Sequence, residues 1–211
     1  MRVKSQRERE RMITDNGDIQ ESGKRELILA GALKVFSQKG FHGATVEEVA
    51  EVAGVGKGTV YLYFGSKTDL FVSVVEEKLK ELKEIIVRRL ENIEGARAKL
   101  AESIKSHWEL FNRSREFIKV ILSDLSGLER ELDERTREAR AGFIGVLESV
   151  IEEGIKSGEF KDVEPRMAAY AIEGAISFVA FENLLDEENS PSVPDVSPLV
   201  DFCLNGLCRR G

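Results

Sequence analysis

The sequence predicts an all-α protein. Apolar residues recur every three or four positions through most of its 211 residues, the period of a helix with one buried face. Charged residues make up 33% of the chain while proline occurs only four times, and no stretch alternates apolar and polar residues as a half-buried strand would. With 42% hydrophobic residues the chain has enough apolar material for a core. Glycines punctuate the helical pattern into about nine segments, a small N-terminal group of three and a larger remainder.

Taken in order, residues 1–21 alternate charges and hold almost no apolar side chains, so they read as a flexible arm of mixed and basic character. Arg2, Lys4, Arg7, Arg9 and Arg11 outnumber Glu8 and Glu10, which suits either a solvated tail or an arm on phosphates. Ser22 is a fair N-cap for helix one, whose apolar face from Leu27 to Phe36 stops near Gly40. Thr45 followed by Glu48 is a capping box for a short helix two, with Val46, Val49, Ala50 and Ala53 on its buried side. Gly54 supplies a turn, and helix three runs from Gly56 or Lys57 until Gly65 ends it.

Helix four is long and amphipathic, from Lys67 to about Ile93, and able to join two modules rigidly. After Gly95, Leu100, Ile104, Trp108 and Phe111 mark a fifth helix; Phe117 to Leu125 form a sixth that is nearly apolar all round and so expected to be buried. A seventh spans Leu128 to about Lys156. Pro165 then sits in a first-turn position, opening helix eight from about Arg166 to Leu185, the most apolar stretch and rich in alanine and glycine. The linker DEENSPSVPDVSP leads to a last helix from about Pro198 to Cys208. Two adjacent apolar helices ending a chain need a partner surface, either the protein's own core or the same face of a second copy in a homodimer.

Net charge narrows the partners. The total is −7, but up to Lys67 there are 11 basic residues against 9 acidic ones, leaving 20 against 29 in the remainder. Only the N-terminal part can meet DNA without repulsion. Cys203 and Cys208 match neither a zinc pair nor a redox motif, no metal-ligand cluster is visible, and no cofactor is implied. With no apolar run long enough to span a bilayer and no signal-like start, the expected location is cytoplasmic.

The stretch Thr45–Lys67, TVEEVAEVAGVGKGTVYLYFGSK, is two short helices meeting at a glycine turn, the pattern of a helix-turn-helix. Thr45, Ala50, Ala53, Gly54, Val55, Lys57, Gly58, Thr59, Tyr61, Tyr63, Phe64, Lys67 and Leu70 agree in order and spacing with the N-terminal signature of the tetracycline-repressor (TetR) family, which residues 24 to 71 resemble. Beyond residue 71 the likeness is architectural. On this reading residues 22–66 are the DNA-binding head and 67–211 a regulatory and dimerisation body. Gly58 permits close approach and Lys57 adds charge; Thr59, Tyr61 and Leu62 face the major groove; Thr45, Tyr63 and Lys67 suit phosphates. Val49, Ala53, Val55, Val60 and Phe64 pack the unit, aromatic packing on helix one is the other reading of Tyr61 and Tyr63, and His42 is either a phosphate contact or an exposed loop residue.

The resemblance implies a homodimer joined through the last two helices, binding a palindromic double-stranded operator and released by a small ligand, with helix four as the lever. Candidate lining residues are Trp108, Phe111, Phe117, Phe143, Tyr170, Phe178 and Phe181, each of which also reads as plain core. Glu173, inside an apolar run, points to a small apolar or cationic ligand, or else to an ordinary polar stripe with Arg166, Tyr170 and Ser177. The alternative function keeps the head without a sensor: an architectural or protein-recruiting DNA-binding factor. An enzyme is disfavoured, because no nucleophile motif, phosphate loop or metal cluster is present in the sequence.

Overall fold

The computed structural model describes residues 6–123, 129–185 and 195–208, all helical apart from short connections. Among the described residues there are nine helices and no strand; Phe160 and Cys208 form an isolated bridge. The chain divides into two compact units, residues 1–74 and 75–211.

In the first unit, α1 (Gln6–Gly43) is longer than expected: its backbone is already helical at Gln6 and does not wait for Ser22. The stretch QRERER consists of good helix formers, and a mixed-charge segment without an apolar face reads in sequence equally as tail or as exposed helix. Gly40 takes φ 72° and ψ 173°, so the regular helix breaks there as expected.

Helix α2 (Val46–Ala53) opens on the capping box. The Glu48 N–H donates to Thr45 Oγ1 at 3.3 Å and the Thr45 N–H to Glu48 Oε2 at 3.0 Å. Gly54 ends it at φ 68°, a left-handed conformation that a side chain would strain. Helix α3 (Lys57–Tyr63) follows at once. The crossing of α1 and α2 is tight at Gly31, where a Cβ would lie 3.2 Å from Ala53 Cβ and from the Val49 carbonyl. Replacing Thr45 by alanine is expected to cost about 1 kcal/mol of head stability, read by thermal melting.

The core of this unit is Ile28, Ala32, Val35, Phe36, Val49, Val60, Phe64 and the start of α4 (Lys67–Leu90), whose Leu70 and Phe71 are fully buried. Phe36 and Phe41 each meet Phe71 edge-on at 5.1 Å between centroids.

The second unit holds the rest of α4, α5 (Ala96–Arg113), α6 (Arg115–Ser123), α7 (Glu129–Ser157), α8 (Pro165–Leu185) and α9 (Ser197–Leu207). Helix α5 packs against α7, α8 and α9. Ile86, Leu100, Ile104, Phe143, Leu147, Ile151, Phe160, Ile176 and Leu204 form its core. Helix α6 is amphipathic, not apolar all round: Phe117 and Val120 are buried, Ile118 and Ile121 half-buried, because Arg115 and Lys119 occupy the same helix. Leu125, expected in that helix, lies outside the described residues.

The N-terminus of α5 lacks a side-chain cap of its own, since Gly95 stands there. Glu159, far along the chain, accepts from the N–H groups of Ala96 and Arg97 at 3.1 Å each. Those two donors hold its carboxyl below the usual range. A carboxyl whose folded pKa is lowered stabilises the fold above its unfolded pKa, and the contribution fades as pH falls through the folded value. The melting-temperature gap between the protein and Glu159→Ala is therefore expected to be present at neutral pH and to close on acidification. The thiols of Cys203 and Cys208 are free, and burial pushes that of Cys203 up.

Candidate DNA-reading head and effector site

Helix α3 is divided by its own sequence. Val60 points into the core, and Tyr63 and Thr59 are half-buried, whereas Lys57, Gly58, Tyr61 and Leu62 face solvent. Leu62 is 84% exposed and Tyr61 47% exposed, so both present apolar surface to solvent. The Lys57 ammonium pairs with Glu47 of α2 and stands 5.9 Å from the centre of the Tyr61 ring. Glu47 was not singled out in the sequence; its only signal is its place in the first turn of α2. The Thr45 hydroxyl accepts one bond from the Glu48 N–H and is exposed, so its own proton remains available to a phosphate oxygen. His42 is exposed and packs edge-on against Phe41 at 5.3 Å.

Lys67 differs from the expectation. Its Nζ donates to the carbonyls of Phe41 at 2.9 Å and Ala44 at 3.0 Å, with that of His42 at 3.5 Å, and lies 4.6 Å from the Phe41 ring centre. The lysine thus gathers three carbonyls of the short segment between the break at Gly40 and the start of α2. Its charge is turned towards these carbonyls of the head.

In the body, Trp108, Phe117 and Phe143 are buried and Phe111 and Phe181 half-buried. Tyr170 and Phe178 are not lining residues of a closed cavity: Phe178 is 64% exposed and Tyr170 half exposed. They share with Met167, Ala171, Gly174 and Val179 an outward stripe of α8, because positions 167, 170, 171, 174 and 178 recur at the helical period. Phe202 of α9 is 73% exposed.

Glu173 sits on the inner flank of that helix. One of its oxygens accepts from Ser177 Oγ at 2.9 Å, and the other is 3.0 Å from Nδ1 of His107 on α5. In the sequence the only signal for His107 is its place beside Trp108. Nearby, the Arg89 guanidinium of α4 donates to Ser106 Oγ at 3.0 Å, Glu102 at 3.3 Å and Glu109 at 2.9 Å on α5. An open groove of about 690 Å³ between α4, α5 and α7 has an apolar floor that includes Val87, Leu90 and Val146. Its rim lysine Lys99 is neutralised by Glu153 at 2.7 Å. Among the described residues no cluster of three metal-ligating side chains is present, and no helix is long and apolar enough to cross a membrane.

Comparison with known proteins accounts for this division. Residues 28–74 match the model of bacterial regulatory proteins of the tetR family, and residues 94–181 match that of a tetracyclin repressor-like C-terminal domain. The transcriptional regulator RutR of Escherichia coli K12 is 32% identical over 156 residues, covering 72% of this chain and 71% of RutR. This chain belongs to the TetR family. It is a DNA-binding transcriptional regulator of the ligand-responsive repressor type. The fatty acid metabolism regulator protein of Bacillus subtilis is 28% identical over 184 residues, 87% of this chain and 95% of that protein. The structure of FadR from Bacillus subtilis in complex with stearoyl-CoA has a TM-score of 0.76 and 27% identity, covering 86% of this chain and 98% of FadR. TetR-family regulators bind DNA as dimers and bind small-molecule ligands, and these relatives are named as regulators, not enzymes.

Proposed function

We propose that this TetR-family protein is a cytoplasmic homodimeric repressor whose α3 reads a palindromic operator and whose body is emptied or filled by a long-chain acyl thioester. The ligand class rests on one observation, the likeness over nearly the whole length of a fatty acid metabolism regulator and of its stearoyl-CoA complex. An apolar acyl chain suits a body whose core aromatics Trp108, Phe117 and Phe143 are packed among aliphatic side chains.

Residues 22–66 form the reading head in this account and 67–211 the regulatory body. Tyr61 and Leu62 enter the major groove, where a phenol can bond base edges and a leucine can meet thymine methyls, with Thr59 beside them. Thr45, Lys57, Gly58 and Tyr63 approach the backbone. The exposed stripe of α8 with Phe202 of α9 is the dimer face, since a contiguous apolar surface on two neighbouring helices is costly in water and self-complementary about a two-fold axis. Two heads so joined must meet half-sites about 34 Å apart.

Operator binding measured by fluorescence anisotropy, on fragments selected from genomic DNA, tests the head. Tyr61→Ala and Leu62→Ala are each expected to weaken specific binding roughly tenfold while leaving the melting temperature in place, since neither side chain is packed. Unchanged affinity in both would remove α3 from the reading role. Tight operator binding that no acyl thioester relieves would favour the sensor-free, protein-recruiting alternative.

A further inference from the structure

Three lysines of the head have partners within it. Lys39 of α1 is paired with Glu48, Lys57 of α3 with Glu47, and Lys67 donates to the carbonyls of Phe41 and Ala44. Carbonyls are neutral and leave the Lys67 charge in place, whereas the two carboxylates cancel theirs. Glu48 is committed in any case, because it closes the capping box on Thr45. Glu47 lies outside that box, and its carboxylate meets the ammonium of the first residue of α3.

The pair stands at the surface. The Lys57 side chain is 50% exposed and that of Glu47 58%, so water screens the attraction and the bond adds little to the stability of the fold. Its consequence is electrostatic. The mutual hydrogen bond holds the Glu47 carboxyl below its usual range and the Lys57 ammonium above, so both are charged around neutrality and their charges cancel. The same ammonium lies 5.9 Å from the centre of the Tyr61 ring, one turn along α3, which puts the carboxylate beside the surface that presents Tyr61.

Sequence-independent DNA binding is driven by cations that neutralise phosphates and release counterions, each adding about 0.9 to the slope of log K against log salt. An ammonium already neutralised by a carboxylate brings no such gain until it leaves its partner. We propose that Glu47 competes with DNA phosphates for Lys57 and so limits sequence-independent binding by the head, leaving recognition to the side chains that read bases. Glu47 is a positioning residue, because it acts through Lys57. The assignment rests on the reading of α3 as the helix that meets DNA. The other use for an acidic residue in the first turn of α2 is to complement the helix dipole, and that use shows only in stability.

Fluorescence anisotropy of the full chain on a duplex lacking the operator, across a salt series of about 50 to 200 mM, tests the role of Glu47. Glu47→Gln is expected to bind that duplex roughly threefold to tenfold tighter at the low-salt end, with a slope steeper by about 0.9 and an unchanged melting temperature. In a Lys57→Met background the same substitution is expected to add no slope, because the ammonium it would free is gone. An unchanged slope in Glu47→Gln, or a steepening that persists without Lys57, would overturn the assignment. So would a Glu47→Gln protein that no longer folds, since the carboxylate would then be structural. The reading of α3 is tested separately by Tyr61→Ala and Leu62→Ala. Unchanged operator affinity in both would bring down both readings, whereas a flat response to Glu47→Gln beside weakened operator binding overturns only the role of Glu47.

Discussion

Phe178→Glu is expected to turn the dimer into monomers and to lower operator affinity by at least about a hundredfold. Phe178 stands towards the C-terminal end of the outward stripe of α8, beside Val179, and Phe202 of α9 is more exposed still. Large aromatic residues carry much of the energy of an interface, and a carboxylate placed there is desolvated without a partner. Because a palindromic operator is bound by two heads at once, losing the dimer forfeits the gain of linking them. Sedimentation velocity reads the oligomeric state and anisotropy the affinity. Val87→Glu, a change at another exposed apolar residue on α4, is the control and should alter neither. A Phe178→Glu protein that stayed dimeric would move the interface away from α8.

The second large effect is expected at Lys67. Removing its ammonium by Lys67→Met strips the donor from the carbonyls of Phe41 and Ala44 and from the Phe41 ring. Two charge-assisted bonds and partly buried acceptors are involved, so a loss of about 2–3 kcal/mol from the head is expected. The decisive readout is how operator affinity depends on salt. A lysine that neutralised a phosphate would lower the slope of log K against log salt by about one on removal; a lysine that clamps the end of α1 leaves the slope unchanged and lowers only the melting temperature. A reduced slope with unchanged stability would restore the phosphate role.

These two residues also show what can be read from sequence and what cannot. Thr45, Glu48, Gly54 and the short α3 were legible because capping and turn chemistry is local: the hydroxyl, the carboxylate and the left-handed glycine act within four residues of one another. The match over residues 24 to 71 was legible for the same reason. Lys67 was legible as a positive charge near DNA, but its acceptors are the carbonyls of Phe41 and Ala44, more than twenty residues earlier, and no sequence pattern marks that contact.

His107 and Glu173 belong to helices distant in sequence, and whether they meet depends on the rotation of α5 against α8. Aromatic character alone groups Tyr170 and Phe178 with Trp108 and Phe143 in the sequence. Helical phase separates them, sending one pair to the surface and the other to the core. The early start of α1 is not legible in the sequence because a charged segment without an apolar face gives periodicity nothing to act on.

The central claim, a head that grips DNA and a body that senses an acyl thioester, meets its most direct test in one titration. Stearoyl-CoA is added to the complex of the full chain with its selected operator while anisotropy is followed, with coenzyme A alone as control. The account predicts that stearoyl-CoA releases the DNA in a saturable way while coenzyme A does not, and that it raises the melting temperature of the free protein over the same concentration range. An operator complex indifferent to stearoyl-CoA, in a protein whose melting temperature also does not move, would contradict it.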